Sequence, residues 1–152
     1  MTMHNTLLFL HLAAAIFWVG GMAFAHFCMR PAAVDVLQPP LRLPLMARAL
    51  GRFFPLVAVA VVVILATGFA MLLAGGRGLA QAPVGLHAML ALGLVMSAVF
   101  VAIYARLNPA LQKHVAAQDW PQAGTVLNRI RMLVSLNLVL GVLTVAAAAA
   151  AR

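Results

Sequence analysis

The sequence predicts an all-α polytopic membrane protein, a four-transmembrane-helix bundle with both termini outside. Three observations carry that expectation. Hydrophobic residues make up 66% of the 152 and charged residues only 8%, with a mean hydropathy of +1.09, too few charges to shield a soluble core from water. Four apolar runs are each long enough to cross a hydrocarbon core, which takes roughly 20 helical residues. None of these runs alternates apolar and polar residues, and an open sheet cannot satisfy its backbone in lipid, so the spans are helices. Residues 1–152 therefore read as a single four-helix transmembrane domain.

The first span covers about 5–29 and reads NTLLFLHLAAAIFWVGGMAFAHFCM. Ala23-Phe24-Ala25 resembles a cleavage site, but the first ten residues hold no Lys or Arg and the run is too long for a signal segment. It is expected to be retained. Pro31, Pro39, Pro40 and Pro44 then predict an interrupted connection, because proline removes a helical donor. Leu45 to Phe54 predicts a short interfacial helix leading into the second span, 53–74. The third span, 84–106, starts after Pro83. Asn108-Pro109 predicts a break, with an amphipathic turn or two over 109–117. Asp119-Trp120-Pro121 has the form of an N-cap with proline early in a helix, expected to continue into the fourth span, 130–150. No fixed-period repeat is evident, although two helical hairpins are conceivable as halves.

The net charge of +8 raises nucleic-acid binding, but the charges flank the apolar runs instead of forming one basic patch. They read as topology determinants, and no nucleic acid is expected. Arg30, Arg42, Arg48, Arg52, Arg106, Lys113, Arg129 and Arg131 surround the first and third connections, against Arg77 and Arg152 on the opposite side. This bias places those two connections in the cytoplasm.

Histidines inside the spans are the main chemical signal, since ionisable side chains at that depth are costly and commonly functional. At 100° per residue His11, Trp18, Met22 and Met29 fall within about 20° of one line. A bundle-facing core seam accounts equally for Trp18 and the methionines. His11 lies about two turns below the outer surface and His87 about one turn below it, so the two could ligate one centre between the first and third helices. Two facing imidazoles suit haem b, with Trp18 and Met22 as walls of the site. Copper instead calls for soft donors. Met89 is two residues from His87 and points about 200° away from it on a regular helix, so Met89 and Met96 read as packing. His26 lies about 22 Å further along the first helix, near Cys28 and Met29, and these three form a candidate second, softer site. The single cysteine excludes intrachain disulfides and Cys-based zinc or iron–sulfur motifs.

Arg30, Arg52, Arg129 and Arg131 form a cytoplasmic cluster, either topology anchors or a site for an anion, because Arg binds carboxylates bidentately. Ser135, Asn137 and Thr67-Gly68 are expected to serve helix packing and interhelical hydrogen bonds. His4 and His114 are expected at the solvent. The only acids, Asp35 and Asp119, sit in connections, which argues against hydrolytic chemistry.

Several motifs resemble a known family. His11, Trp18, Gly20-Gly21 and Arg30-Pro31 look like the first helix of the copper-resistance D (CopD) family of bacterial inner-membrane proteins, Arg52-Phe53 and Thr67-Gly68 like its second, and the stretch from Arg129 to Leu140 like its last. The related HemJ-type protoporphyrinogen oxidases share the first-helix His with Trp seven residues on. They also have a third-helix motif similar to Leu86-His87-Ala88-Met89-Leu90, with lysine where Met89 stands. The first resemblance implies copper handling across the bacterial inner (cytoplasmic) membrane. The second implies a haem-dependent membrane oxidoreductase with a quinol or porphyrinogen as donor.

Three functions are thus expected: a haem b protein ligated by His11 and His87, a copper-handling protein that also uses His26, Cys28 and methionines and receives copper from a donor protein, or a metal-free structural subunit or permease. All are embedded in the lipid bilayer. A bundle this small has little room inside, which favours a homodimer.

Overall fold

The computed structural model describes residues 2–75 and 83–150, with side chains to Ala149. It consists of four long helices: α1 (Met3–Val36), α2 (Pro39–Ala74), α3 (Val84–Ala116) and α4 (Trp120–Ala150). All four are long and apolar enough to cross a membrane, and the described residues contain no strand. Arg77 and Arg152, which enter the charge bias, lie outside the described residues.

Helix α1 packs along α2, and α3 along α4; α2 and α4 also meet, while α1 and α3 stand diagonally across the bundle. The start of α1, the end of α2, the start of α3 and the end of α4 share what we term the upper end. The two short connections, at 37–38 and 117–119, share the lower end. Phe9, Ile16, Phe24, Val59, Val62, Val101, Val139 and Val142 are exposed and form an apolar perimeter that contacts the bilayer.

The proline-marked breaks expected at the lower end are mostly absent. Only Leu37 and Gln38 interrupt the chain between α1 and α2, and Pro39 and Pro40 occupy the first helical positions, where a missing N–H costs nothing. No separate interfacial helix precedes the second span. Instead α2 runs for 36 residues with Pro44 and Pro55 inside it, about 54 Å, well beyond the roughly 30 Å of a hydrocarbon core.

Asn108-Pro109 likewise does not end α3. A π-helical turn, Ile103–Leu107, immediately precedes it, and the wider turn absorbs the proline's missing donor. In α1 the π turn Ala25–Met29 precedes Arg30-Pro31 in the same way. The expected N-cap at α4 is formed: the Asp119 carboxylate accepts from the Gln122 N–H at 3.3 Å. Gln118, with φ 55°, makes the left-handed turn that reverses the chain, and His114 reaches Asp119 across it at 3.3 Å.

The two π turns are part of a larger correspondence, which sequence periodicity alone does not reveal. Buried Trp18, Met22 and Ala33 of α1 correspond to buried Met96, Phe100 and Leu111 of α3 at a constant offset of 78. Buried Leu43, Met46, Leu50 and Val57 of α2 correspond to Ala123, Val126, Ile130 and Asn137 of α4 at an offset of 80. The chain is thus two helical hairpins with matching core faces, arranged as parallel repeats.

At mid-height Trp18 and Phe100 meet edge to face at 6.0 Å, and Phe54 packs on Phe100 at 6.2 Å. These rings, with Val57 and Ile103, close the middle of the bundle. Helix α1 approaches α2 closely at Gly21, where a Cβ would fall inside the Phe53 ring.

Candidate metal-binding cavity

Above the aromatic plug the helices diverge around a cavity of about 90 Å³. Its lining includes His11 from α1, Gly68 from α2, Met89 and Gly93 from α3 and Thr144 from α4. His11 and Met89 are separated by 78 positions, the same offset that relates the cores of α1 and α3. They are equivalent residues of the two repeats, brought to one cavity.

His11 is held from α2. Its Nδ1 lies 3.0 Å from the Thr67 hydroxyl oxygen. That hydroxyl has its own acceptors, the carbonyls of Val63 at 2.6 Å and Ile64 at 3.2 Å. With the Thr67 proton committed to the helix backbone, its oxygen accepts the Nδ1–H of His11. The network therefore assigns the Nδ1–H tautomer and leaves a lone pair on Nε2. Such an anchored imidazole has the outer-shell support that metal-ligating histidines commonly have. Gly68 lies against the imidazole: a Cβ there would stand in van der Waals contact with His11 Cε1 at 3.4 Å.

His87 does not join this arrangement. It is exposed, its Nδ1 lies 3.2 Å from the carbonyl of Pro83 in its own first turn, and it is not part of the cavity lining. With His87 exposed and outside the lining, the cavity holds one imidazole and not the facing pair on which the haem expectation rests. The residue with access to the cavity is Met89, read from sequence as packing. Below it, the Thr144 hydroxyl donates to the Leu140 carbonyl at 2.8 Å and lies 3.7 Å from the Met96 thioether.

Trp18 and Met22 are buried in the layer below, around a small void of about 20 Å³ shared with Asn137. They belong to the plug, not to the wall of the His11 cavity. Asn137 donates to the Met96 carbonyl at 3.1 Å, the interhelical bond expected of it.

At the lower end His26 Nδ1 lies 3.3 Å from the Ser135 hydroxyl, which donates to the Arg131 carbonyl at 2.9 Å. Cys28 is exposed, and neither it nor Met29 lines the cavity that His26 lines. Of the four expected arginines, Arg30 and Arg131 line that cavity, whereas Arg52 and Arg129 are exposed. Among the described residues no cluster of three or more His, Cys, Asp or Glu side chains forms, so any metal here is held by few donors.

Comparison with known proteins supplies the family. The family model for copper resistance protein D, CopD, matches residues 47–151, more than half of the chain. The chain belongs to the CopD family. The match covers α3, α4 and most of α2, and with them Thr67, Gly68, Met89 and Thr144; His11 and the rest of α1 precede it. No match was found among curated proteins or among solved structures. CopD membership and four apolar helices make this a multi-pass membrane protein associated with copper resistance, in line with the copper expectation. Neither the HemJ relationship nor haem has support in these comparisons.

The residues that sequence reasoning missed share a reason. Thr67 and Gly68 were visible as a polar and a small residue inside a span, but their partner on α1 was not. Met89 could have been found by testing whether the two hairpins repeat.

Proposed function

We propose that this CopD protein captures Cu(I) in the upper cavity, with His11 Nε2 and the Met89 thioether as ligands. The carrying observation is that an imidazole with a free Nε2 lone pair and a soft thioether line the same small, largely apolar cavity. Imidazole and thioether suit Cu(I), whereas Mg²⁺, Ca²⁺ and Mn²⁺ favour carboxylate oxygens, and no Asp or Glu stands in this lining. A monovalent ion also costs less to take out of water than a divalent one. Copper is here the cargo, received at the upper end. The Trp18–Phe54–Phe100 plug blocks passage beneath the site in this conformation, so the reading is capture and retention and requires no open channel.

Titrating the detergent-purified chain with Cu(I) against a chromogenic chelator tests this. One ion per chain should bind, His11→Ala should abolish that binding, and Met89→Leu should weaken it by about tenfold or more, while His87→Ala leaves it unchanged. Equal loss in His87→Ala and His11→Ala would instead restore the facing-histidine geometry and overturn the proposal.

A further inference from the structure

At the lower end three arginines from three helices converge without acidic partners. Arg30 of α1 and Arg42 of α2 line a cavity of about 140 Å³ together with Asn128 of α4 and Met46. Arg30 and Met46 also border the adjoining cavity of about 40 Å³, where Arg131 and His26 stand. Arg42 and Arg131 both act electrostatically on Arg30. Like charges at that range destabilise the bundle unless something neutralises them.

The protein has no means to do so itself. Its only acids are Asp35 and Asp119. Asp119 faces His114 at 3.3 Å, and among the described residues no Arg or Lys pairs with an acid. Asp35 is exposed and lines neither cavity.

We infer that the cavity between Arg30 and Arg42 binds a phosphate group, with Asn128 as an additional donor and Arg131 contributing its charge from the adjoining cavity. Guanidinium forks recognise phosphate oxygens bidentately. Three cations approaching from different helices match a tetrahedral oxyanion better than a planar carboxylate, which offers two oxygens. Its volume exceeds the roughly 10–15 Å³ that one water needs. From Asn5 to Arg30 the helix rises about 38 Å, which spans a hydrocarbon core of about 30 Å and sets Arg30 at headgroup depth. Val34, Leu43 and Leu127 in the same lining suit the apolar start of an acyl chain. The phosphate is therefore that of a phospholipid headgroup or free inorganic phosphate. This inference does not depend on the copper reading, because the two sites lie at opposite ends of the bundle.

The full chain in detergent provides both arms of the test. Lipid retention is read by native mass spectrometry with phosphatidylglycerol and phosphatidylcholine mixed in equal amounts. Thermal melting is read in phosphate against chloride at equal ionic strength. Wild type should retain phosphatidylglycerol preferentially, melt higher in phosphate, or do both. The first result alone identifies a headgroup, the second alone a free anion.

Arg42→Gln and Arg131→Gln should each weaken the response about fivefold, as expected for loss of about one arginine's attraction at a lipid surface. Arg106→Gln, at an exposed lower-end position, should leave it intact. In chloride the first two variants should melt at or above wild type, because repulsion at Arg30 is relieved. Equal loss in Arg106→Gln, no response in wild type, or a lower melting point of Arg42→Gln and Arg131→Gln in chloride would each overturn the inference.

Discussion

At the scale of single residues the informative contact is that of His11 with Thr67. A histidine can present either ring nitrogen to a metal, and the choice is made by whatever occupies the other. Here the Thr67 hydroxyl is already committed to the Val63 carbonyl at 2.6 Å, so the threonine fixes the tautomer without itself touching the cavity. Thr67→Val keeps the shape and removes the acceptor. Cu(I) affinity should fall about 10–100-fold, the range typical for outer-shell partners of metal-binding histidines, with little change in melting temperature. An unchanged affinity in the chelator competition would show that Thr67 serves packing alone. His11 was legible in the sequence because a histidine inside a span is chemically conspicuous. Met89 was not, because a methionine among leucines and alanines carries no such mark, and only its three-dimensional neighbour distinguishes it.

At the scale of elements the helices are longer and less interrupted than their prolines suggest. Pro31 and Pro109 sit just past π turns, which accommodate a missing donor without ending the helix. Sequence patterns mark where a donor is missing but not how the backbone absorbs it, so the upper helix ends were legible, and of the lower ones only the start of α4 at Asp119 was. The α1–α2 contact is more sharply specified. A Cβ on Gly21 would overlap the Phe53 ring, whereas one on Gly20 would meet nothing within 4 Å. Gly21→Ala should therefore destabilise the bundle by about 1–3 kcal/mol through overpacking, and Gly20→Ala should stay within about 0.5 kcal/mol of wild type. Reversible unfolding in detergent measures both. Equal effects would mean that α1 does not approach α2 through Gly21.

At the scale of the whole molecule the chain is two matched hairpins. The offset of 78 brings His11 and Met89 to equivalent positions in the upper cavity. Hydropathy alone predicted four spanning helices, because lipid leaves few other ways to satisfy a backbone. It did not predict which face of α3 turns inward, and the pairing of His11 with His87 rested on that as well as on the closeness of the two helices. On α3 the face turned to the cavity carries Met89 and leaves His87 exposed, which in the proposed copper site exchanges a two-imidazole centre for one imidazole and one thioether. X-ray absorption at the copper edge of the Cu(I)-loaded chain distinguishes these donor sets directly. The account predicts one imidazole nitrogen and one thioether sulfur, with the sulfur signal absent in Met89→Leu; a sphere of two imidazoles without sulfur would contradict it.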